Sequence, residues 1–244
     1  MILGLALTNA LAQMGPHGGA QGPRLDAATA KLFGDNQTFS AQLEFQMTMA
    51  DGSDVTEPCK FMFDNGKSRF EINMSEMRNA SMPPGTADQM KSMGMDKMVM
   101  ISRPELKLAY MVYPGLNSYA EMAAAEAASG TNTSDFKLET TELGKETVDG
   151  HECVKNKVTV TDKDGNKTES TVWNATDLKN FPVKIVTDQA GKPVTMLFKN
   201  ISLAKPASSV FEAPAGFTKY DDVQTMVRTE VMKKMGAGLG APPH

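Results

Sequence analysis

Residues 38–49 read TFSAQLEFQMTM, and the apolar side chains in this stretch fall on every second position. The alternating apolar residues are Phe39, Ala41, Leu43, Phe45, Met47 and Met49. Because successive side chains of a β-strand point to opposite faces, a period of two predicts a strand with one buried face and one solvated face. Half-buried strands are typical of antiparallel sheets, so this stretch sets the expected fold class.

Turn-forming dipeptides divide the rest of the chain into short strands. Asn65-Gly66 stands between CKFMF, residues 59–63, and a second strand-like run, and Asp149-Gly150 and Asp164-Gly165 stand in similar places. Such pairs favour tight hairpin turns. Hairpins join neighbouring antiparallel strands, whereas parallel strands need long crossover connections. The sequence therefore predicts about ten antiparallel strands in hairpin order.

A methionine-rich segment interrupts the strand pattern. Residues 74–100 contain eight of the chain's 19 methionines. Within this segment, Thr86 and Gln89 fit a capping box and Gly94 fits a glycine at a helix end. We therefore expect a short helix over residues 87–93.

Two further helices are predicted outside the strands. Residues 25–33 carry a short apolar stripe, and residues 222–234 carry a longer one with helical spacing. The longer stripe consists of Val223, Met226, Val227, Val231 and Met235.

The beginning of the chain favours export. Residues 2–12 form a short apolar stretch that ends in Ala-Leu-Ala, which is typical of a signal-peptide cleavage site. The alternative is a short buried helix. The export interpretation divides the chain into a signal peptide (1–12), a leader with a short helix (13–34), a half-barrel domain (35–220) and a C-terminal helix with a tail (221–244). It predicts a periplasmic or secreted protein.

The charge pattern excludes two classes of partner. The formal net charge is −4, and the 25 basic residues are scattered without a basic run. This argues against nucleic acid and against an electrostatic membrane anchor. No run of about 20 apolar residues is present, so we expect no transmembrane segment.

Recognisable catalytic and metal-binding patterns are missing from the sequence. The three histidines, His17, His151 and His244, have no metal-ligand spacing. The acidic residues lie in turns or alternate on strand faces, which is typical of a solvated surface. We therefore expect a non-enzymatic protein without a metal or a cofactor.

The two cysteines, Cys59 and Cys153, have two interpretations. In an oxidising compartment a pair of cysteines tends to form a disulfide. The alternative is two separate buried thiols, because sequence does not show whether the two Cα atoms are close enough.

The methionines leave three alternatives open. Met90, Met93 and Met95 have a spacing that suits Cu(I), which prefers soft thioether ligands. Flexible thioethers also form adaptable apolar surfaces, such as a flap over a groove. The third alternative is ordinary core packing.

Several longer stretches resemble a known family. ISRPELKLAYMVYPGLNSYAEM (101–122), ETVDGHECVKNKVTV (146–160), STVWNATDLKNFPVKIV (170–186) and VFEAPAGF (210–217) occur in the order seen in exported proteins of the LolA/LolB lipoprotein-carrier superfamily. The resemblance is to a branch of that superfamily that consists of domains of unknown function, and it covers residues 35–220. It implies a mainly β fold: a curved antiparallel half-barrel of about ten strands that encloses the short methionine-rich helix, followed by a C-terminal helix.

The same resemblance implies where a ligand would bind. Carriers of this family hold acyl chains inside the half-barrel, so the expected ligand is a lipid or a lipoprotein acyl chain, and an envelope protein is a further candidate partner. The expected groove wall consists of Phe45, Phe63, Tyr110 and Trp173. The expected flap consists of Met90, Met93, Met95, Met98 and Met100. The alternatives are a structural envelope domain whose barrel is filled by its own side chains, and a methionine-rich periplasmic Cu(I)-binding protein.

Overall fold

The computed structural model describes residues 27–48, 52–79, 83, 85–123, 136–189 and 192–238. Within these residues, thirteen strands form one sheet. In chain order, β1 to β13 are Thr38–Thr48, Asp54–Asp64, Lys67–Asn73, Arg78–Asn79, Lys97–Arg103, Leu108–Tyr113, Ser118–Ala123, Lys137–Val148, His151–Thr161, Lys167–Ala175, Phe181–Gln189, Lys192–Ser202 and Thr218–Tyr220. The α-helices of the described part are α1 (Ala27–Lys31), α2 (Thr86–Met93) and α3 (Val223–Gly238).

The sheet consists of two antiparallel meanders that meet where β1 pairs with β12. Its spatial order is β13-β7-β6-β5-β3-β2-β1-β12-β11-β10-β9-β8, and β4 pairs with β2 beside β3. Among the described pairs, only β13 and β7 run parallel. The predicted fold class, a mainly β curved antiparallel sheet with an inserted helix and a C-terminal helix, is confirmed. The strand count exceeds ten partly because the two-residue strand β4 and the three-residue strand β13 are too short to show alternation.

The alternation in β1 defines the main buried face of the sheet. Phe39, Leu43 and Phe45 are at most 6% exposed, and the register places Phe39 opposite Phe63 of β2. The same face continues across the sheet, and its side chains form one large core with residues of α1 and α3. We call it the inner face.

The opposite, outer face carries a smaller core. Its buried members are Val99, Ile101, Tyr110, Val112 and Phe211. Residues 203–217, which follow β12, supply Phe211 and cover this core. Arg69 donates a hydrogen bond to the Val210 carbonyl at 2.8 Å and Arg103 donates one to the Phe211 carbonyl at 3.3 Å. These two bonds attach the covering segment to β3 and β5.

Helices α1 and α3 cover the inner face. Phe33, just after α1, is 1% exposed, and Met226 of α3 is fully buried. The Asp222 carboxylate accepts the Thr225 N–H at 2.7 Å and caps α3. The predicted stripe of α3 is wrong for Met235, which is 56% exposed. The other four residues of the stripe belong to the inner core or pack against it, so the contact ends before the last turn of α3.

The first 26 residues lie outside the described residues, so the signal peptide (1–12) and most of the leader (13–34) stay predictions. The domain division at residues 35 and 220 also stays a prediction, although α1 and α3 supply side chains to the same core as the sheet. None of the helices in the described ranges is long and apolar enough to cross a membrane.

Candidate ligand-binding site

The half of the inner face under α1 is packed with phenylalanine rings. This phenylalanine cluster consists of Phe33, Phe39, Phe61, Phe63, Phe181 and Phe198, each at most 1% exposed. The ring of Phe33 lies 4.8 to 6.4 Å, centroid to centroid, from the other five. Aromatic pairs at such distances are attractive beyond their buried area, so this half of the core is held firmly.

The half under α2 and α3 is packed with methionines. This methionine region consists of Met74, Met93, Met95, Met98, Met100, Met111 and Met226. Met95, Met98 and Met226 are at most 5% exposed, and the other four are half-buried. Met100 and Met111 lie directly opposite each other on β5 and β6. Because thioether chains are unbranched and flexible, this half can change its packing more readily than the phenylalanine cluster.

Helix α2 lies on the surface of the methionine region. It has eight residues and none of them is fully buried. It contacts the turns at residues 74–76 and 114–116 and also α3. Met93 packs against the inner core, whereas Met90 is half-buried and does not belong to that core. A helix this short is marginal by itself, so its position depends on these few contacts.

The two ends of α2 differ in how well the sequence predicts them. Gly94 ends the helix with a left-handed φ of 75°, as predicted. The predicted capping box is wrong. Gly85, with φ 85°, occupies the N-cap, which makes Thr86 the first helical residue, and the Thr86 hydroxyl donates to the Pro83 carbonyl at 2.8 Å.

The C-terminal end of α2 meets the neighbouring turn through two glycine backbones. A Cβ on Gly115 would lie 2.5 Å from the Gly94 carbonyl oxygen. A Cβ on Gly94 would lie 2.5 Å from the Gly115 carbonyl oxygen and 2.5 Å from Lys234 Nζ of α3. Only glycine permits so close an approach of backbones. We call this contact between Gly94 and Gly115 the glycine latch, and the side chain of Lys234 from α3 lies beside it.

Two of the predicted groove-wall residues lie on the inner face, as expected. Phe63 belongs to the phenylalanine cluster, and Phe45 lies opposite Met196 on β12. The predicted flap residues Met95 and Met98 are both 5% exposed, and Met98 accepts a hydrogen bond from the Tyr113 hydroxyl at 3.8 Å. The structure thus brings most of these residues into one core, and their role in binding a ligand stays a prediction.

The placement of Tyr110 on the groove wall is wrong. Tyr110 lies on the outer face, where its ring meets Tyr119 edge to face at 5.8 Å between centroids. In β6, which reads LAYMVY, almost every position is apolar, so alternation does not reveal which face is inside. The burial of the outer face by Phe211 decides it.

Trp173 is surrounded by its own charged neighbours. Lys155 and Lys184 lie directly opposite it on β9 and β11, and their ammonium groups are 5.0 and 4.5 Å from the ring centroid. The indole N–H donates to the Glu146 carboxylate at 2.7 Å. These contacts account for the burial of Trp173 without a ligand.

Cys59 and Cys153 are separate free thiols, and both are buried. The disulfide interpretation is therefore not realised, and the alternative of two buried thiols holds. Cys59 lies on β2 and Cys153 on β9, five strand positions apart in the sheet, whereas a disulfide needs Cα atoms within about 7 Å. Burial raises the pKa of both thiols, which keeps them protonated. Within the described ranges, no cluster of three or more His, Cys, Asp or Glu residues is suited to hold a metal ion.

The sequence analysis gives no role to Glu57, a charged residue of the inner face. It lies on β2 directly opposite Phe45 and is half-buried. Burial raises the pKa of its carboxyl group, and its charge adds to the burial that raises the pKa of the Cys59 thiol. The alternation of β2 extends back from Cys59 through Glu57 to Val55, upstream of the predicted strand CKFMF, which starts at Cys59.

A pocket of about 260 Å³ opens beside Phe33 of the phenylalanine cluster. Its lining residues are Lys31, Leu32, Phe33, Gly34, Asp35, Asn36, Leu138, Thr140, Val158, Val172, Asn174, Lys179 and Asn180. It is smaller than most sites for drug-sized ligands, which have volumes of roughly 300–1,000 Å³. None of its lining residues belongs to the methionine region or to the predicted groove.

A sequence model of DUF4412, a domain of unknown function, matches residues 39–181, more than half of the chain. The chain belongs to the DUF4412 family. The match includes Phe45, Glu57 and α2 of this DUF4412 protein but ends before α3. A comparison with curated protein sequences finds no significant match.

Solved structures similar to this DUF4412 protein have low sequence identity to it. The LolA superfamily protein NE2245 from Nitrosomonas europaea is 11% identical, with a TM-score of 0.40, over 76% of this chain and 94% of that chain. LprF from Mycobacterium bovis is 14% identical, with a TM-score of 0.43, over 78% and 96%. The lipoprotein LppX from Mycobacterium tuberculosis is 10% identical, with a TM-score of 0.41, over 72% and 94%. The family match confirms the predicted domain of unknown function, and similarities this low to solved structures assign neither a superfamily nor a ligand to the chain.

Proposed function

We propose that this protein is a non-enzymatic binding or carrier protein for an apolar ligand, such as a lipid or a lipoprotein acyl chain. We place it in the periplasm or outside the cell, where an envelope protein would deliver or receive the ligand. The apolar stretch at residues 2–12 supports export, and N-terminal sequencing of the exported protein tests it. A mature chain that keeps Met1 in the cytoplasm contradicts this part of the proposal.

The methionine region is the observation that carries the proposal. Four of its seven methionines are half-buried, and its cover is a two-turn helix with no fully buried residue. An acyl chain could replace the contacts between α2 and the sheet with contacts of the same chemical kind. Burial of an apolar side chain stabilises by roughly 1.5–3 kcal/mol, so a cover held by few such contacts can open.

A structural envelope domain is the second candidate. The phenylalanine cluster supports it, because six rings that are at most 1% exposed already fill half of the inner face. In this alternative the barrel is filled by its own side chains and needs no ligand.

Native mass spectrometry of protein purified from its own host distinguishes the two candidates. A matched pair of variants locates the ligand: Met100→Gln puts a polar amide in the methionine region, whereas Met62→Gln puts the same amide beside the outer core. Both methionines are half-buried, so the two variants should unfold at similar temperatures. The carrier proposal expects co-purified lipid in the wild type and in Met62→Gln, and much less in Met100→Gln. Repeated absence of lipid from the wild type favours the structural domain.

A further inference from the structure

Glu57 places a carboxyl group on the inner face of the sheet. The inner-facing residues of β1, β2 and β3 other than Glu57 are Phe39, Ala41, Leu43, Phe45, Met47, Val55, Cys59, Phe61, Phe63, Ser68, Phe70 and Ile72. Glu57 is the charged member of this set. Within the described residues, its carboxylate makes no hydrogen bond and no ion pair.

Glu57 lies at a local break in the sheet. β3 pairs with β2 as far as Cys59 opposite Ile72, and β4 pairs with Val55 and Thr56. Glu57 and Pro58 lie between these two pairings. They pair with β1 on one side and with none of the described strands on the other. Proline has no N–H to donate, which suits a position beside such a break.

The break is next to the cover of the methionine region. The turn at residues 74–76, which follows β3, contacts β2 on one side and α2 on the other. Continued for two residues beyond the pair of Cys59 and Ile72, the antiparallel register of β2 and β3 would set Glu57 opposite Met74, the first residue of this turn. A ligand that displaces α2 from this turn would therefore enter beside β2, the strand that carries Glu57.

An ionised carboxylate only accepts hydrogen bonds, and it is unfavourable in apolar surroundings unless a cation or a donor accompanies it. Other carboxylates of this sheet have such partners. The Asp64 carboxylate is 1% exposed and lies 3.0 Å from Lys67 Nζ, and the Glu44 carboxylate lies 3.0 Å from Lys199 Nζ. Within the described residues, Glu57 has no such cation beside it.

We infer that Glu57 binds the cationic amine of an amphipathic ligand whose apolar chain lies against the methionine region. The inference rests on the proposed binding of an apolar ligand and names the chemistry of its polar end. An ammonium group supplies both the missing charge and the missing hydrogen-bond donors.

Displacement of the neutral fluorescent probe N-phenyl-1-naphthylamine tests the inference. Dodecylamine, dodecanol and dodecanoic acid compete with the probe at pH 7.5 for the wild type, Glu57→Gln and Glu44→Gln. Glu44→Gln is the matched control, since it removes the same charge from the outer side of the neighbouring strand. We expect dodecylamine to bind the wild type and Glu44→Gln about tenfold more tightly than dodecanol, and Glu57→Gln to bind the two equally. An amine preference that is absent from the wild type, or that survives in Glu57→Gln, overturns the inference.

Dodecanol, the neutral competitor, distinguishes a failure of this inference from a failure of the proposed function. If dodecanol displaces the probe without any amine preference, the assignment of Glu57 fails and the apolar site stands. If neither the probe nor any of the three chains binds the wild type, both fail.

Two further competitors distinguish the source of the amine. Lysophosphatidylethanolamine represents an aminolipid, and a palmitoylated peptide that ends in lysine represents an acylated protein. The ligand that binds Glu57→Gln more weakly than the wild type carries the amine that the site recognises. If both ligands bind the variant more weakly, the site recognises the ammonium group whatever molecule carries it. Unchanged affinity for both overturns the inference.

Discussion

The phenylalanine cluster and the methionine region lie on the same face of the same sheet, yet they differ in stiffness. The six rings of the cluster are at most 1% exposed and contact one another through Phe33. Four of the seven methionines are half-buried, and the helix above them buries no residue fully. Rings with two rotatable bonds fill space in one way, whereas a thioether chain has more rotamers of similar energy.

The difference shows how one core can be both stable and adaptable. The cluster joins α1 to the strands on either side of β1, where the two halves of the meander meet. The methionine region lies toward the β7 and β13 end of the sheet. Helices α2 and α3 cover it, and the glycine latch lies where α2 meets the 114–116 turn. A change of packing in the methionine region can therefore leave the junction of the two halves intact.

The largest expected effect is the loss of the central ring. Phe33→Ala should lower the free energy of unfolding by about 3–5 kcal/mol, because it leaves a cavity among five rings. Met93→Ala should lower it by only about 1 kcal/mol, because Met93 is half-buried under a short helix. Urea denaturation of the two variants measures both values, and equal losses would contradict the contrast between the regions.

The next effect concerns the glycine latch. Gly115→Ala forces a methyl group against the Gly94 carbonyl and should cost about 1–3 kcal/mol. The loss should be local: amide exchange should become faster in α2 and stay unchanged in β1. Gly236→Ala is the matched control, because its Cβ would meet no atom within 4 Å. Alanine in a helix should leave stability equal or raise it by up to about 1 kcal/mol. Unaltered protection of α2 in Gly115→Ala would exclude the latch.

A smaller effect should depend on pH. Burial raises the pKa of Glu57 above its usual 4.5, so the folded protein binds this proton more tightly than the unfolded chain does. The stability of the wild type should therefore fall as the pH rises from about 4.5 through the raised pKa. Glu57→Gln removes this dependence and should be more stable by about 1 kcal/mol at pH 7.5, with no difference near pH 4.

Glu44→Gln serves as the control for this pH dependence, since its carboxylate is already paired with Lys199. Its stability at pH 7.5 should differ from that of the wild type by at most about 1 kcal/mol. Thermal unfolding across the pH range gives both curves. A Glu57→Gln variant that is less stable than the wild type at neutral pH would show that the carboxylate has a stabilising partner.

The smallest effect on stability is expected from changing Met90, Met93 and Met95 together to leucine. The substitutions keep apolar volume, so the three together should change the free energy of unfolding by less than about 1 kcal/mol. A Cu(I) competition titration then separates the flap from the copper alternative. We expect no tight copper binding in either protein, and tight binding that disappears in the variant would establish the copper site.

Much of the candidate site could be read from the sequence where the pattern was local. The alternation of residues 38–49 placed Phe45 inside, and the glycine at residue 94 marked the end of α2. Tyr110 could not be placed in this way, because its strand is apolar on both faces. The distant segment that carries Phe211 decides which face of that strand is the outer one. Glu57 was readable from the alternation of β2 but lay before the predicted start of that strand.

The sequence by itself determined the fold class, since alternation and turn dipeptides act within a few residues of one another. It also placed the short helix among the methionines, because the glycine signal at its end is local. Only the tertiary structure decided that Cys59 and Cys153 stay apart, because their separation depends on the order of strands in the sheet. It alone divided the inner face into the phenylalanine cluster and the methionine region, because Phe33, Phe198 and Met226 come from distant parts of the chain. Contacts between residues so far apart in sequence form only when the whole sheet closes around its core.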